Sequence, residues 1–334
     1  MRCIFLMAFL CSITLIKGHP SYGIAVDHNR NIYFADILHN GRGSIWKLTH
    51  HGELHLVLKD FHSHNLTLDT AGNIITGQGE GQHTFLRLCK SGERDTIFDT
   101  RDPELFTGDI SGYDRWGNAY FVHEDQLWKV NPNGPPLRVS DERITWPRSI
   151  YVDDEGLVYI TDIGEANGRL IRMDPGNGEH EVLASDLITE LGRPLDKHND
   201  ILGGVTKGCD DLTYVTEYAG RRVIQIDHSG SARTFYRSSG EWIPTGLDFF
   251  SGDAYIMEYR FGKTGMMGPQ IVKVTESGTR SIIFNFEGYS SYDEVPSRQV
   301  DRFGLSGVTL LLMILLINCI SVLTLGSVIR RDLP

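Results

Sequence analysis

Gly23 to Asp36 reads GIAVDHNRNIYFAD and Ser149 to Asp162 reads SIYVDDEGLVYITD, and the two stretches are one pattern. Each opens with an apolar alternating run, turns at Asn or Gly, and resumes as a second run that ends in an acid. Alternation on both sides of a turn signals a β-hairpin with one buried face. Between residues 21 and 286 the pattern recurs six times.

The second runs align as Ile32-Tyr33-Phe34-Ala35-Asp36, Ala119-Tyr120-Phe121-Val122, Val158-Tyr159-Ile160-Thr161-Asp162, Thr213-Tyr214-Val215-Thr216-Glu217 and Ala254-Tyr255-Ile256-Met257-Glu258, with a degenerate Ile74-Ile75-Thr76-Gly77 in the second slot. A third run follows each, with a polar residue in its third position: Lys47, Arg87, Lys129, Arg172, Gln225 and Lys273. A glycine-bearing turn and a short fourth run, such as Thr96-Ile97-Phe98, complete the unit. Four strands per unit at a period of about 40 to 45 residues predict propeller blades rather than a helical solenoid. The fold class is therefore all-β, a six-bladed β-propeller with four-stranded blades. Each unit starts with its innermost strand, so every blade is expected from contiguous sequence, with no terminal strand exchange. The one irregularity is an insertion, Ser185 to Asn199.

The first copy resembles an NHL repeat, and the acids ending several second strands resemble those of the YWTD and SMP-30/gluconolactonase propellers. The resemblance covers about four fifths of the chain and implies a propeller. It leaves function open, because this fold serves hydrolases, receptors and RNA-binding modules.

The ends add an address. Arg2 precedes an uncharged run, Cys3 to Ile16, of signal-peptide length, with a small residue at Gly18. Phe303 to Ile329 is uncharged, rich in Leu and Ile, and flanked by Asp301-Arg302 and Arg330-Arg331. Its length suits a membrane span, and the basic tail favours a cytoplasmic C-terminus. The expected organisation is a signal peptide at 1–18, the propeller at 19–286, a juxtamembrane linker at 287–302, a transmembrane helix at 303–329 and a short tail at 330–334. The propeller is then extracytoplasmic and single-pass.

The chain carries a formal charge of −11, and removing Arg2, Lys17, Arg330, Arg331 and Asp332 takes away three net positive charges to leave −14. So acidic a domain excludes nucleic acid as an expected partner. Cys89 and Cys209 are the only cysteines between the two terminal segments. They fall in opposite blades, too far apart for a disulfide, and are expected as buried free thiols.

Innermost-strand starts and second-strand ends share one rim of a propeller. The acids at the second-strand ends (Asp36, Asp162, Glu217, Glu258) recur, which points to a structural role in the blades. The recurring tyrosines and Trp46 and Trp128 are expected in the core. Non-repeating residues at the innermost-strand starts are the site candidates: His64, Asn65, Asp109, Arg148, Asn199, Asp200 and Thr245. Asn65, Asp109, Asn199 and Asp200 supply the oxygen ligands that Ca²⁺ or another divalent cation takes. The resemblance to SMP-30-like lactonases implies such a cation in the channel. Pro20-Ser21-Tyr22-Gly23 departs from the glutamate-glycine-proline segment of those enzymes, and His198-Asn199-Asp200 replaces their mid-chain Asn-Gly pair. His64 and His198 offer bases. Gly265-Met266-Met267-Gly268-Pro269 reads as a sixth-blade loop that either contacts a partner or folds over the channel mouth. No motif for an organic cofactor is present.

Two functions follow as expectations. One is a membrane-anchored propeller that binds a small ligand or protein on its channel-mouth face. The other is a divalent-cation-dependent lactonase or esterase built on the same face.

Overall fold

The computed structural model describes residues 20–39, 43–79, 83–100, 110–132, 134–188, 193–197, 199–262 and 265–288. Six four-stranded antiparallel sheets are formed, each from consecutive strands. The innermost strands are Ile24–Val26, Leu66–Leu68, Ser111–Tyr113, Pro147–Val152, Leu202–Lys207 and Trp242–Phe250. The outermost are Leu54–Lys59, Arg94–Thr100, Leu137–Arg138, His180–Ala184, Ala232–Arg237 and Arg280–Asn285. Blade phase is as the repeat predicts, and blade six ends on its own outermost strand, without exchange.

The core is a ring of apolar clusters between neighbouring blades rather than one central cluster. Blade six meets blade one through Phe34, Trp46, Tyr259, Ile271, Phe284 and Phe286. Further clusters fill the remaining interfaces. Burial on both faces of each sheet is why the second runs are continuously apolar.

The repeated residues have structural work. Asp27 accepts hydrogen bonds from the backbone N–H of Asn29 and Asn31, the Asn31 amide and the Tyr33 hydroxyl. Asp114 and Asp153 tie the equivalent hairpins to Tyr120 and Tyr159. The polar third-strand residue pairs across the sheet with the second-strand tyrosine, as in Tyr33↔Lys47 and Tyr255↔Lys273. Lys47, Lys129 and Lys273 place their ammonium groups 5.6, 5.4 and 5.8 Å from the ring centres of Tyr33, Tyr120 and Tyr255. Aliphatic stem and ring cover each other while the charge reaches solvent.

Asp36, Asp162, Glu217 and Glu258 are fully buried and satisfied locally. Asp162 takes Arg169 through Nε at 3.1 Å and Nη2 at 2.9 Å, and also the backbone N–H of Trp146 and Gly164. Glu258 accepts from Tyr236, Ser238 and Gln270.

Two expectations are corrected. Cys89 and Cys209 carry no disulfide, but Cys89 is only half-buried and Cys209 is exposed, because both sit at hairpin turns. The methionine-rich segment is no loop: Asp253–Gly262 and Gly265–Val274 are ten-residue strands that extend the blade-six hairpin, with Met266 packed against the closing core. The terminal segments 1–18 and 303–329 lie outside the described residues. Among the described residues no helix is long and apolar enough to cross a membrane.

Candidate functional site

The innermost strands converge so closely that side chains are excluded at their starts. A Cβ on Gly246 would stand 2.0 Å from the Tyr22 carbonyl oxygen, and one on Gly23 would stand 2.5 Å from the Leu66 nitrogen. The channel they enclose is narrow, about 80 Å³, lined by all six blades through Tyr22, Asn65, Ser111, Ser149, Gly204 and Asp248 among others. A larger cavity of about 240 Å³ opens at the rim, between the blade-five insertion and blades five and six. Arg193, Asn199, Asp200, Tyr218, Arg221 and Phe261 line it.

Arg148 is the second residue of the innermost strand of blade four. Its Nη2 donates to the Lys197 carbonyl at 2.7 Å. Its Nε is buried and has no acceptor among the described residues. Burial holds its pKa below the ordinary guanidinium value, while Tyr218 and Tyr22 lie within electrostatic reach. The guanidinium sits 5.7 Å from the ring centre of Trp146, and the Lys197 ammonium sits 5.6 Å from the same ring. Lys197 donates to the Gly164 carbonyl. Among the described residues neither cation has a carboxylate partner.

His64 lies behind them, its Nε2 2.9 Å from that of His62. The ring also hydrogen-bonds the Pro20 carbonyl, which can only accept. Nδ1 therefore carries the proton and the Nε2 lone pair is turned to His62. Burial, with the neighbouring His62 and Arg148 charges, pushes the His64 pKa down to about 3. Both ring nitrogens are engaged, so this histidine is a neutral rim strut rather than a base facing a ligand.

The other predicted residues are placed as follows. Asn65 donates its side-chain amide to the Ser111 carbonyl across the blade two–three junction. Thr245 is fully buried, its carbonyl taking the Thr216 hydroxyl of blade five. It holds blades together and presents nothing to a ligand. Asp200 is buried and grips Arg193 through both carboxylate oxygens at 2.6 and 2.7 Å, while also accepting the Asp196 N–H. Asn199 donates to Asp196. Asp109 and His198 lie outside the described residues.

A divalent cation needs convergent, unspent oxygen ligands. Asn65 and Asp200 are committed elsewhere, and Asn65 lines the channel whereas Asn199 and Asp200 line the rim cavity. Among the described residues no three His, Cys, Asp or Glu side chains gather as a metal site. As arranged, Asn65, Asn199 and Asp200 do not converge on one Ca²⁺ ion.

The structure thus brings Tyr22, His64 and Arg148 together and sets Asn199 and Asp200 beside them. Tyr218, Lys197, Trp146 and Arg193 were missed by the repeat. Tyr218 had a signal: the residue after the second-strand acid is Ile in blades one and four (Ile37, Ile163) but Tyr in blades five and six (Tyr218, Tyr259). Tyr259 is spent on Ser21, 2.9 Å away, whereas Tyr218 faces the cavity.

A six-bladed β-propeller with a polar rim cavity at its channel mouth is the class these observations define. Solved structures agree on the fold. Virginiamycin B lyase from Staphylococcus aureus matches with a TM-score of 0.53 at 15% identity, over 79% of this chain and 83% of that one. A nidogen/laminin complex gives 0.57 at 15% identity, over 75% and 92%. A gluconolactonase from Xanthomonas campestris gives 0.55 at 13% identity, over 72% and 83%. No protein-family model matches the chain, and no curated protein matches it.

Proposed function

We propose that this chain is a ligand-binding propeller whose channel-mouth face is the binding surface, held at the outer side of a membrane by segment 303–329. The observation that carries the reading is the rim itself: the polar residues Arg193, Asn199, Asp200, Tyr218 and Arg221 line a cavity of about 240 Å³, and Arg148, bonded to the Lys197 carbonyl, lies within electrostatic reach of Tyr218. Convergent polar groups at a concave site are the ordinary form of a ligand pocket.

The folds of the lyase and the gluconolactonase keep an enzymatic reading in play, as a cation-dependent lactonase or esterase. His64 speaks against it here, since both its nitrogens are engaged and its basicity is low. The test uses the full chain in nonionic detergent. Its unfolding midpoint is measured with neutral, anionic and cationic small molecules, and lactones and esters are assayed in Ca²⁺, Mg²⁺, Mn²⁺ or Zn²⁺. Saturable stabilisation without turnover supports the binding reading. Turnover that is abolished by chelator and restored by one metal overturns it.

A further inference from the structure

Resting on that reading, we propose that the rim beside this cavity takes an organic anion: a carboxylate seated on Arg148 and Lys197, with its apolar part against Trp146. Among the described residues neither cation meets an acid. Both are held by backbone carbonyls alone, Arg148 by Lys197 and Lys197 by Gly164. Carbonyls orient a cation without neutralising it. By contrast, Arg169 and Arg222 elsewhere in the fold meet buried acids.

The indole of Trp146 is close to both cations and is 41% exposed, whereas the recurring second-strand tyrosines are buried. Its backbone N–H is pinned by buried Asp162, so its position is fixed by the blade rather than by the loop. Tyr218 connects this pair to the cavity, being in its wall and within electrostatic reach of Arg148. Arg193 contributes no free charge, because Asp200 neutralises it. A planar carboxylate matches the guanidinium fork, and an adjacent apolar group matches the exposed ring. Such a group comes either from a small organic acid or from an acidic side chain of a polypeptide.

The full chain in nonionic detergent is titrated with 3-phenylpropionate, with 3-phenylpropanol as its neutral counterpart, and with a short Asp-Phe-containing peptide. Binding is read by thermal shift and by the tryptophan fluorescence that Trp146→Phe removes. Saturable binding of phenylpropionate and not the alcohol is expected, at least tenfold weaker in Arg148→Gln and in Lys197→Gln but unchanged in Lys129→Gln, which removes the same charge at a blade tyrosine. Binding of the peptide alone, with the same variant pattern, assigns the anion to a polypeptide. Binding of the alcohol as tightly as the acid, or acid binding indifferent to Arg148→Gln, overturns the anion site while leaving the pocket. No binding by any neutral, anionic or cationic probe overturns both.

Discussion

Asp248 in the innermost strand of blade six accepts the backbone N–H of Val26 in blade one at 2.7 Å, and this bond joins the two ends of the ring inside the channel. The carboxylate is deep among protein atoms though part of its surface faces the channel, and burial pushes its pKa up to about 6. An ordinary Asp in the unfolded chain titrates near 3.8. Between about pH 4 and 6 the native state therefore holds a proton that the unfolded chain releases, and stability falls as pH rises through that window. Buried His64 works the other way: its native pKa near 3 lies below the ordinary 6.5, so its contribution is complete above pH 6.5 and is lost as pH falls. Asp248→Asn should abolish the first slope and His64→Gln the second, the full windows being worth about 3 and about 5 kcal/mol respectively. Denaturant titrations of both variants from pH 4 to 8 check the opposite signs.

Because no strand is exchanged, apolar packing closes the ring. Phe286 stacks on His39 at 3.8 Å and meets Trp46 edge-on at 5.2 Å, carrying the end of blade six onto blade one. Phe286→Ala should cost about 3 kcal/mol. Amide exchange should rise first in the strands of blades one and six, the two that lose their shared core.

Arg148 is a cation whose burial is only partly compensated, so the fold is strained by the group that the site uses. Arg148→Met should raise the midpoint of unfolding in the absence of ligand, by about 1 kcal/mol, while removing anion binding. Calorimetry of the variant beside wild type measures both effects. A loss of stability would mean that the Lys197 carbonyl and the Trp146 ring compensate the charge fully.

Breaking the Asp162–Arg169 pair should do the reverse. Asp162 is fully buried and Arg169 nearly so, so Arg169→Met leaves an unpaired buried carboxylate and should cost roughly 3–5 kcal/mol. Because Asp162 also holds the Trp146 backbone, anion binding should weaken in the same variant, which a titration at low temperature can follow while the fold persists.

The blades were legible because their chemistry repeats: a hairpin Asp bonds the second-strand Tyr in blades one, three and four, and a third-strand Lys covers that Tyr in blades one, three and six. The same repetition identified Asp36, Asp162, Glu217 and Glu258 as structural. The site was only half legible, since it is built from departures from the repeat. Arg148 and His64 were found as non-repeating rim residues. Lys197 and Trp146 were not, because their role depends on an insertion folding back over blade four, where Leu187 and Ile188 bond to the Gly168 and Asn167 carbonyls. Asp200 and Thr245 looked available because an isolated sequence cannot reveal Arg193 across a loop or the Thr216 hydroxyl across a blade interface.

The most direct measurement is hydrogen–deuterium exchange on the full chain with and without saturating 3-phenylpropionate. Exchange should slow at residues 146–149, 199–201 and 218–220, with the opposite-face hairpins 27–31 and 153–157 unchanged. Protection confined to those hairpins, or none at the channel mouth while the probe binds, would contradict an anion site there.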